Sequence, residues 1–239
     1  MARTTVICIV EGQTENAVLK HLVVPHLAWR GIDLHVPIIR IGQGRGGVRL
    51  LQADTLYDQI RRFLRDARQP YVTTLFDYYA FPTAKAKGWE FVSELKSQAQ
   101  ARGAAWVAER IEQEIHRRAI ADLDPTNAEA RLIPYIQLHE LEALFFAEPQ
   151  TMAEVFGDSS LSRRFESIVD ACGSCEGIDD GPRTAPSKRI EESFPGYIKG
   201  RSDFAHGPRI AGRLNLTTVR NRCPRFDEWL SRLEALAGP

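Results

Sequence analysis

Carboxylates follow three apolar segments whose composition is typical of β-strands. They are Glu11, Asp77, and the pair Glu140 and Glu142. Because the carboxyl ends of parallel strands lie at one edge of a sheet, we expect these side chains to share a solvent-facing rim. Clustered carboxylates repel one another unless a cation neutralises them, and oxygen ligands suit Mg²⁺ or Mn²⁺. Such ions polarise a phosphodiester and activate water, so the four acids are predicted metal ligands. The alternative is that each acid caps a helix or pairs with an arginine.

The part of the chain after residue 182 carries the cations that a phosphate ligand needs. Residues 183–222 hold nine basic side chains against three acids, although the whole chain is neutral, with 31 of each sign. Lys188 opens a predicted helix after Pro186, where backbone N–H groups and a cation can both hold a phosphate. We assign Lys188 to the scissile phosphate; a solvated basic surface is the other interpretation. The residues predicted to support the metal or to bind phosphate are Glu15, Arg45, His139, Ser187 and Arg189.

The elements that must position these residues alternate between strand and helix. Strand patterns cover residues 5–10, 34–41, 71–76 and 131–137, and helix patterns cover 15–29, 53–64, 88–123, 139–146 and 225–236. Thr14 is the predicted N-cap of the first helix. This order predicts an α/β protein with a parallel four-stranded sheet and right-handed crossovers. The predicted α/β domain covers 1–150 with a helical insertion at about 83–128, and a helical C-terminal lobe covers 151–239 and packs on it.

Three other features of the sequence bear on the class of protein. No apolar run approaches the roughly 20 residues that span a bilayer, and residues 1–5 do not resemble a secretion signal, so we expect a cytoplasmic protein without membrane contact. The CxxC spacing of Cys172 and Cys175 lacks the second half of a zinc site. The motif Gly42-x-Gly44-x-x-Gly47 satisfies the dinucleotide fingerprint in form, but it follows the second strand rather than the first. We therefore expect this loop, with Arg45, to hold a phosphate of the nucleic acid instead.

Four blocks of sequence resemble a bacterial family of unknown function, DUF4276, which is regarded as Toprim-like. The blocks are Glu11-Gly12-Gln13-Thr14-Glu15, Phe76-Asp77-Tyr78-Tyr79-Ala80-Phe81-Pro82, His139-Glu140-Leu141-Glu142-Ala143-Leu144-Phe145 and Ala185-Pro186-Ser187-Lys188-Arg189. The resemblance covers roughly residues 5 to 200. The first block also resembles the first motif of the Toprim fold, the metal-binding domain of topoisomerases, primases and overcoming-lysogenization-defect (OLD) nucleases.

The resemblance implies a role for each matching acid. Glu11 corresponds to the Toprim glutamate and Asp77 to the first acid of the Toprim DxD motif. Tyr79 stands where the second aspartate of that motif is expected, so another donor must replace it, Glu140 before Glu142. His139 then either orients a ligand, coordinates the metal itself or caps the helix.

The resemblance also implies a function and its partners. We expect a Toprim-type nuclease that depends on Mg²⁺ or Mn²⁺, with Glu11, Asp77 and Lys188 as catalytic residues and DNA or RNA as substrate. OLD nucleases use a lysine near the metals, and the resemblance implies that Lys188 or Lys199 takes this part. A role in bacterial anti-phage defence, a partner ATPase and a homodimer all stay open. The alternative is a Toprim-like subunit without catalysis that docks on a partner ATPase, which the incomplete DxD motif favours.

Overall fold

A computed structural model describes residues 3–39, 52–83, 86–121, 123, 128–179, 181–198 and 205–238. Its strands are β1 (Thr4–Val10), β2 (Ile32–His35), β3 (Tyr71–Asp77), β4 (Leu132–Ile133) and β5 (Ile136–Gln137). Its α-helices are α1 (Gln13–Val18), α2 (Val24–Trp29), α3 (Ala53–Leu64), α4 (Glu90–Ser97), α5 (Ala99–Arg102), α6 (Ala104–Ile120), α7 (Pro149–Phe156), α8 (Leu161–Cys172), α9 (Pro186–Ser193), α10 (His206–Ala211), α11 (Leu216–Arg222) and α12 (Pro224–Glu234). A π-helical turn covers Leu19–Val23, and 3₁₀ helices cover Glu129–Arg131, Leu141–Ala147 and Cys175–Gly177.

The strands form a parallel sheet in the order β2-β1-β3-β4, and β5 also pairs with β3. The predicted α/β fold with a parallel sheet is therefore confirmed. The strand expected at 131–137 is divided into β4 and β5. Pro134 lies between the two pieces, and a proline has no N–H to donate to a strand ladder.

Side chains of β1 alternate between the two faces of the sheet and so contribute to two separate apolar cores. Val6, Cys8 and Val10 pack into a core that includes α1, α2 and most of the helices after residue 149. Ile9 packs on the opposite side, with α3, α4 and α6. The insertion and the C-terminal helices therefore cover opposite faces. Among the described residues, no helix is long and apolar enough to cross a membrane.

The first helical segment differs from its prediction at both its start and its middle. The helix begins at Gln13 with Gly12 at the N-cap position, so Thr14 lies inside the helix and the predicted cap is wrong. Leu19–Val23 form a π-helical turn that ends two residues before Pro25. Because the proline ring collides with the carbonyl group four residues earlier, a wider turn accommodates it.

The other boundaries follow from local breakers of structure. The second strand ends at His35, before Pro37, and Ile38 makes one isolated bridge to Val10. The predicted helical insertion is present as α4, α5 and α6. A break occurs at Gly103, whose φ of 86° favours glycine.

Candidate functional site

Glu11 and Asp77 are neighbours because β1 and β3 are adjacent parallel strands that end at the same edge of the sheet. The backbone N–H of Asp77 donates a hydrogen bond to Glu11 Oε1 over 3.2 Å. Glu11 is partly exposed. The Oε2 atom of Glu15 lies over Gly12, since a Cβ added at that glycine would come within 2.9 Å of it. The adjacent strand ends therefore place the Glu11 carboxylate against the backbone of Asp77, and the Glu15 carboxylate lies beside Gly12.

The Asp77 carboxylate joins the sheet to the segment that follows β5. Its Oδ1 atom accepts a hydrogen bond of 2.8 Å from the backbone N–H of Leu141. Leu141 is the first residue of a 3₁₀ helix, and the first amides of a helix favour a negative charge. Asp77 is only 8% exposed, so its expected position on a solvent-facing rim is wrong. Its carboxylate has a structural contact whatever else it does.

Glu140 and Glu142 are both buried, and they are also not on a solvent-facing rim. Glu140 Oε2 accepts a hydrogen bond of 2.8 Å from the backbone N–H of Ser187, in the first turn of α9. Glu142 Oε1 accepts a longer bond, 3.4 Å, from the hydroxyl of Tyr197. Burial raises the pKa of that tyrosine well above its usual range, and the negative charge of Glu142 is the second largest cause. Both acids thus anchor the region after residue 185 to the end of the sheet.

His139 occupies a constrained turn between β5 and the 3₁₀ helix. Its φ of 58° lies in the left-handed region, which is uncommon for a residue with a side chain. Its carbonyl group accepts a hydrogen bond from the N–H of Tyr79, and its ring meets the ring of Tyr78 edge-on, with centroids 5.9 Å apart. The histidine therefore lies against the loop that follows Asp77, next to the predicted acids.

Only some of the predicted phosphate-binding residues lie near these acids. Ser187 is buried and contacts Glu140 through its backbone. Lys188 is exposed, and its Nζ donates to Glu191 Oε2 over 2.7 Å. Arg189 donates from Nε to the carbonyl group of Thr184. Arg45, Lys199 and the glycine motif at 42–47 lie outside the described residues.

The described residues fit a hard cation in donor type. The four acids offer carboxylate oxygens, as Mg²⁺ and Mn²⁺ prefer. No group of three His, Cys, Asp or Glu side chains in the described part of the chain is placed to hold one ion. Mg²⁺ is commonly bound by one or two carboxylates, with water and substrate phosphate completing its shell. The pair Glu11 and Asp77 is consistent with that simpler arrangement.

A family model described as a domain of unknown function, DUF4276, matches residues 10–234. The chain belongs to this family. The match begins at the last residue of β1 and ends at the last residue of α12, so the DUF4276 sequence extends over both the sheet and the C-terminal helices. Comparison with curated proteins and with solved structures gives no match.

Two residues near the acids of this DUF4276 protein were not predicted from the sequence. Lys96, on α4, donates from Nζ to the carbonyl group of Tyr78 over 2.7 Å and lies 4.6 Å from the centre of that ring. Tyr197 contacts Glu142. Both come from elements that are distant in the sequence and carry no local motif. Only the packing of α4 and of the segment after α9 brings them to the end of the sheet.

Proposed function

We propose that this DUF4276 protein is a Toprim-like, divalent-metal-dependent nuclease that hydrolyses phosphodiester bonds of DNA or RNA. Glu11 and Asp77 would hold Mg²⁺ or Mn²⁺, with Glu140 and Glu142 as further donors. Glu15 and His139 would support them, and Lys188 would hold the scissile phosphate. The bound ion would supply Lewis acidity and lower the pKa of water.

One observation supports the proposal most directly. The N–H of Asp77 bonds to the Glu11 carboxylate, and the Asp77 carboxylate bonds to the first amide after Glu140. Three segments that carry Glu11, Asp77 and Glu140 thus meet at one edge of a parallel sheet, where α/β proteins commonly bind ligands.

The hydrogen bonds at these acids are compatible with metal binding. A carboxylate offers about four acceptor sites, so a bond from a backbone N–H does not by itself preclude a metal ligand role. Asp77 Oδ1 and Glu140 Oε2 each receive such a bond, which fixes the orientation of the carboxylate. Ligands that are oriented in this way bind metals with less loss of conformational freedom.

The test compares amide variants that keep these backbone contacts. In Glu11→Gln and Asp77→Asn, the amide oxygen can still accept the same N–H, so we expect the fold to persist while the charge is lost. The assay supplies Mn²⁺ with single- and double-stranded DNA and RNA, and titration calorimetry measures Mn²⁺ binding without substrate. We expect both variants to lose cleavage and Mn²⁺ affinity by at least about 100-fold.

Glu154→Gln is the matched control. Glu154 is an exposed glutamate on α7, and its substitution should change neither cleavage nor Mn²⁺ binding. The assignment of Glu11 and Asp77 fails if both amide variants cut as fast as the parent.

A second candidate is a subunit without catalysis that docks on an ATPase. Two observations favour it: Tyr79 stands at the place of the second DxD acid, and the described residues hold no group of three metal-binding side chains. This candidate predicts a protein that neither binds Mn²⁺ in calorimetry nor cuts any of the four substrates. A role in bacterial defence would be compatible with either candidate.

A further inference from the structure

A cavity of about 560 Å³ lies between α6 and α12, against the segment that separates β4 from β5. It shares no lining residue with the acids at the strand ends. Each helix lines it with residues spaced along a single helical face, among them Glu112 and His116 on α6 and Arg225 and Arg232 on α12. Cavities of roughly 300 to 1,000 Å³ are the usual size for small-molecule sites. The volume is therefore suited to a small organic ligand rather than to a bare ion.

The mouth of the cavity offers one cation and one anion that are not engaged in an ion pair or hydrogen bond with the described residues. Arg232 and Glu228 are both exposed and line the cavity from successive turns of α12. Neither makes an ion pair or a hydrogen bond with any described residue. A ligand that reaches both side chains can pair with each of them.

The inner wall holds a guanidinium that is hydrogen-bonded to a carboxyl group. Arg225 Nη2 donates to Glu112 Oε1 over 2.6 Å, and the same oxygen accepts the N–H of Ile136 over 2.8 Å. Burial raises the pKa of Glu112 to about 7 despite the nearby charges of Arg225 and Arg232. The Nε atom of Arg225 is buried and has no hydrogen-bond partner in the described structure. The inner wall thus keeps one buried donor whose hydrogen-bonding capacity no described residue satisfies.

The floor of the cavity is aromatic and firmly held. The rings of Tyr135 and Trp229 are stacked, with centroids 4.9 Å apart and an angle of 16° between their planes. Trp229 Nε1 donates to Thr73 Oγ1 over 2.9 Å, and both rings are almost fully buried. A rigid apolar floor below charged walls is the usual composition of a small-molecule site.

We infer that this cavity binds a small zwitterion, a free amino acid or a dipeptide, whose carboxylate pairs with Arg232 and whose ammonium group pairs with Glu228. A polyanion such as a nucleotide would meet the carboxylates of Glu109 and Glu228 at the same walls. A polycation would meet the guanidinium groups of Arg225 and Arg232. A ligand with one charge of each sign avoids both repulsions.

The experiment uses the whole chain and probes of known charge. The twenty common amino acids and glycylglycine are screened by saturation-transfer NMR, and the best binder is compared with its N-acetyl and its amide derivatives. Each derivative lacks one of the two charges. We expect each to bind at least about tenfold more weakly than the zwitterion, as for the loss of one charged hydrogen bond. Adenosine monophosphate should not compete.

Two variants separate the two charges. Arg232→Gln should weaken the binding of the zwitterion but should not weaken the binding of the amide derivative, which has no carboxylate. Glu228→Gln should weaken the binding of the zwitterion but should not weaken the binding of the N-acetyl derivative, which has no ammonium group. Arg62→Gln, at an exposed position on α3, is the matched control and should bind like the parent. The inference is overturned if no probe binds, if the blocked derivatives bind as well as the zwitterion, or if adenosine monophosphate displaces it.

Discussion

The replacement Glu112→Gln should flatten the dependence of folding stability on pH. The Glu112 side chain is 13% exposed and lies between the N–H of Ile136 and the guanidinium of Arg225. Burial opposes its ionisation more than these partners favour it, so its pKa rises from the ordinary value of 4.5 to about 7. Glutamine has nearly the same shape and keeps an oxygen for the N–H of Ile136, but it cannot titrate.

The sign and size of the effect follow from proton linkage. Between about pH 4.5 and 7 the folded protein holds a proton on Glu112 that the unfolded chain has lost. The free energy of unfolding of the parent therefore falls as the pH rises through this window. One pH unit corresponds to about 1.4 kcal/mol, so this carboxyl contributes a fall of up to about 3 kcal/mol. In Glu112→Gln that contribution is absent, and the contributions of other groups cancel in the difference between the two profiles.

Urea unfolding followed by circular dichroism, at half-unit steps from pH 4 to 8.5, measures both profiles. We expect the parent to lose stability relative to Glu112→Gln as the pH rises from 4.5 to 7. Outside that range, the two profiles of unfolding free energy against pH should be parallel. Glu154→Gln, at an exposed site with no contact of this kind, should track the parent at every pH. Parallel profiles of the parent and Glu112→Gln throughout would refute the reasoning, because Glu112 would then titrate as it does in the unfolded chain.

Three further substitutions test contacts that hold the sheet to its surroundings. Arg131→Met removes a buried guanidinium that donates to two backbone carbonyl groups, and should cost about 2 kcal/mol or more in urea unfolding. Trp229→Phe removes the indole N–H bond to Thr73 and part of the ring volume, and should cost about 1 to 3 kcal/mol; an unchanged unfolding midpoint would contradict this. Asp77→Ala leaves the Leu141 N–H without its acceptor and should be less stable than Asp77→Asn by about 1 to 2 kcal/mol, whereas equal stabilities would show that the bond contributes nothing.

Local patterns in the sequence predicted the central elements well. The helix pattern at 53–64 matches α3, and the strand pattern at 71–76 ends one residue short of β3. Both predictions depend on the periodic spacing of apolar side chains within one segment, which is a local property. The divided strand at 131–137 shows where this approach fails. Pro134 is visible in the sequence, but only the pairing of both halves with β3 shows that two short strands remain.

The sequence allowed the acids of the candidate site to be predicted, but not the atoms that they contact. Strand ends can be recognised locally, and parallel topology then places them at one edge. The bond from Ser187 to Glu140 spans 47 residues, and the pair that lines the cavity, Glu112 and Arg225, spans 113. Such contacts depend on how whole helices pack, and no short motif encodes them. For the same reason, the cavity between α6 and α12 has no signal in the sequence beyond two helices that each carry polar residues on one face.

A carboxylate at the end of a strand can serve the fold without serving chemistry. Asp77 and Glu140 are both buried, and each accepts a bond from the first turn of a helical segment, as it would in a protein without catalysis. Loss of activity on substitution of either residue therefore has two explanations. Glu11 differs, because it is partly exposed and receives its bond from a residue already fixed in β3. Glu11→Gln is thus the substitution whose effect on Mn²⁺ binding reports chemistry with the least contribution from folding.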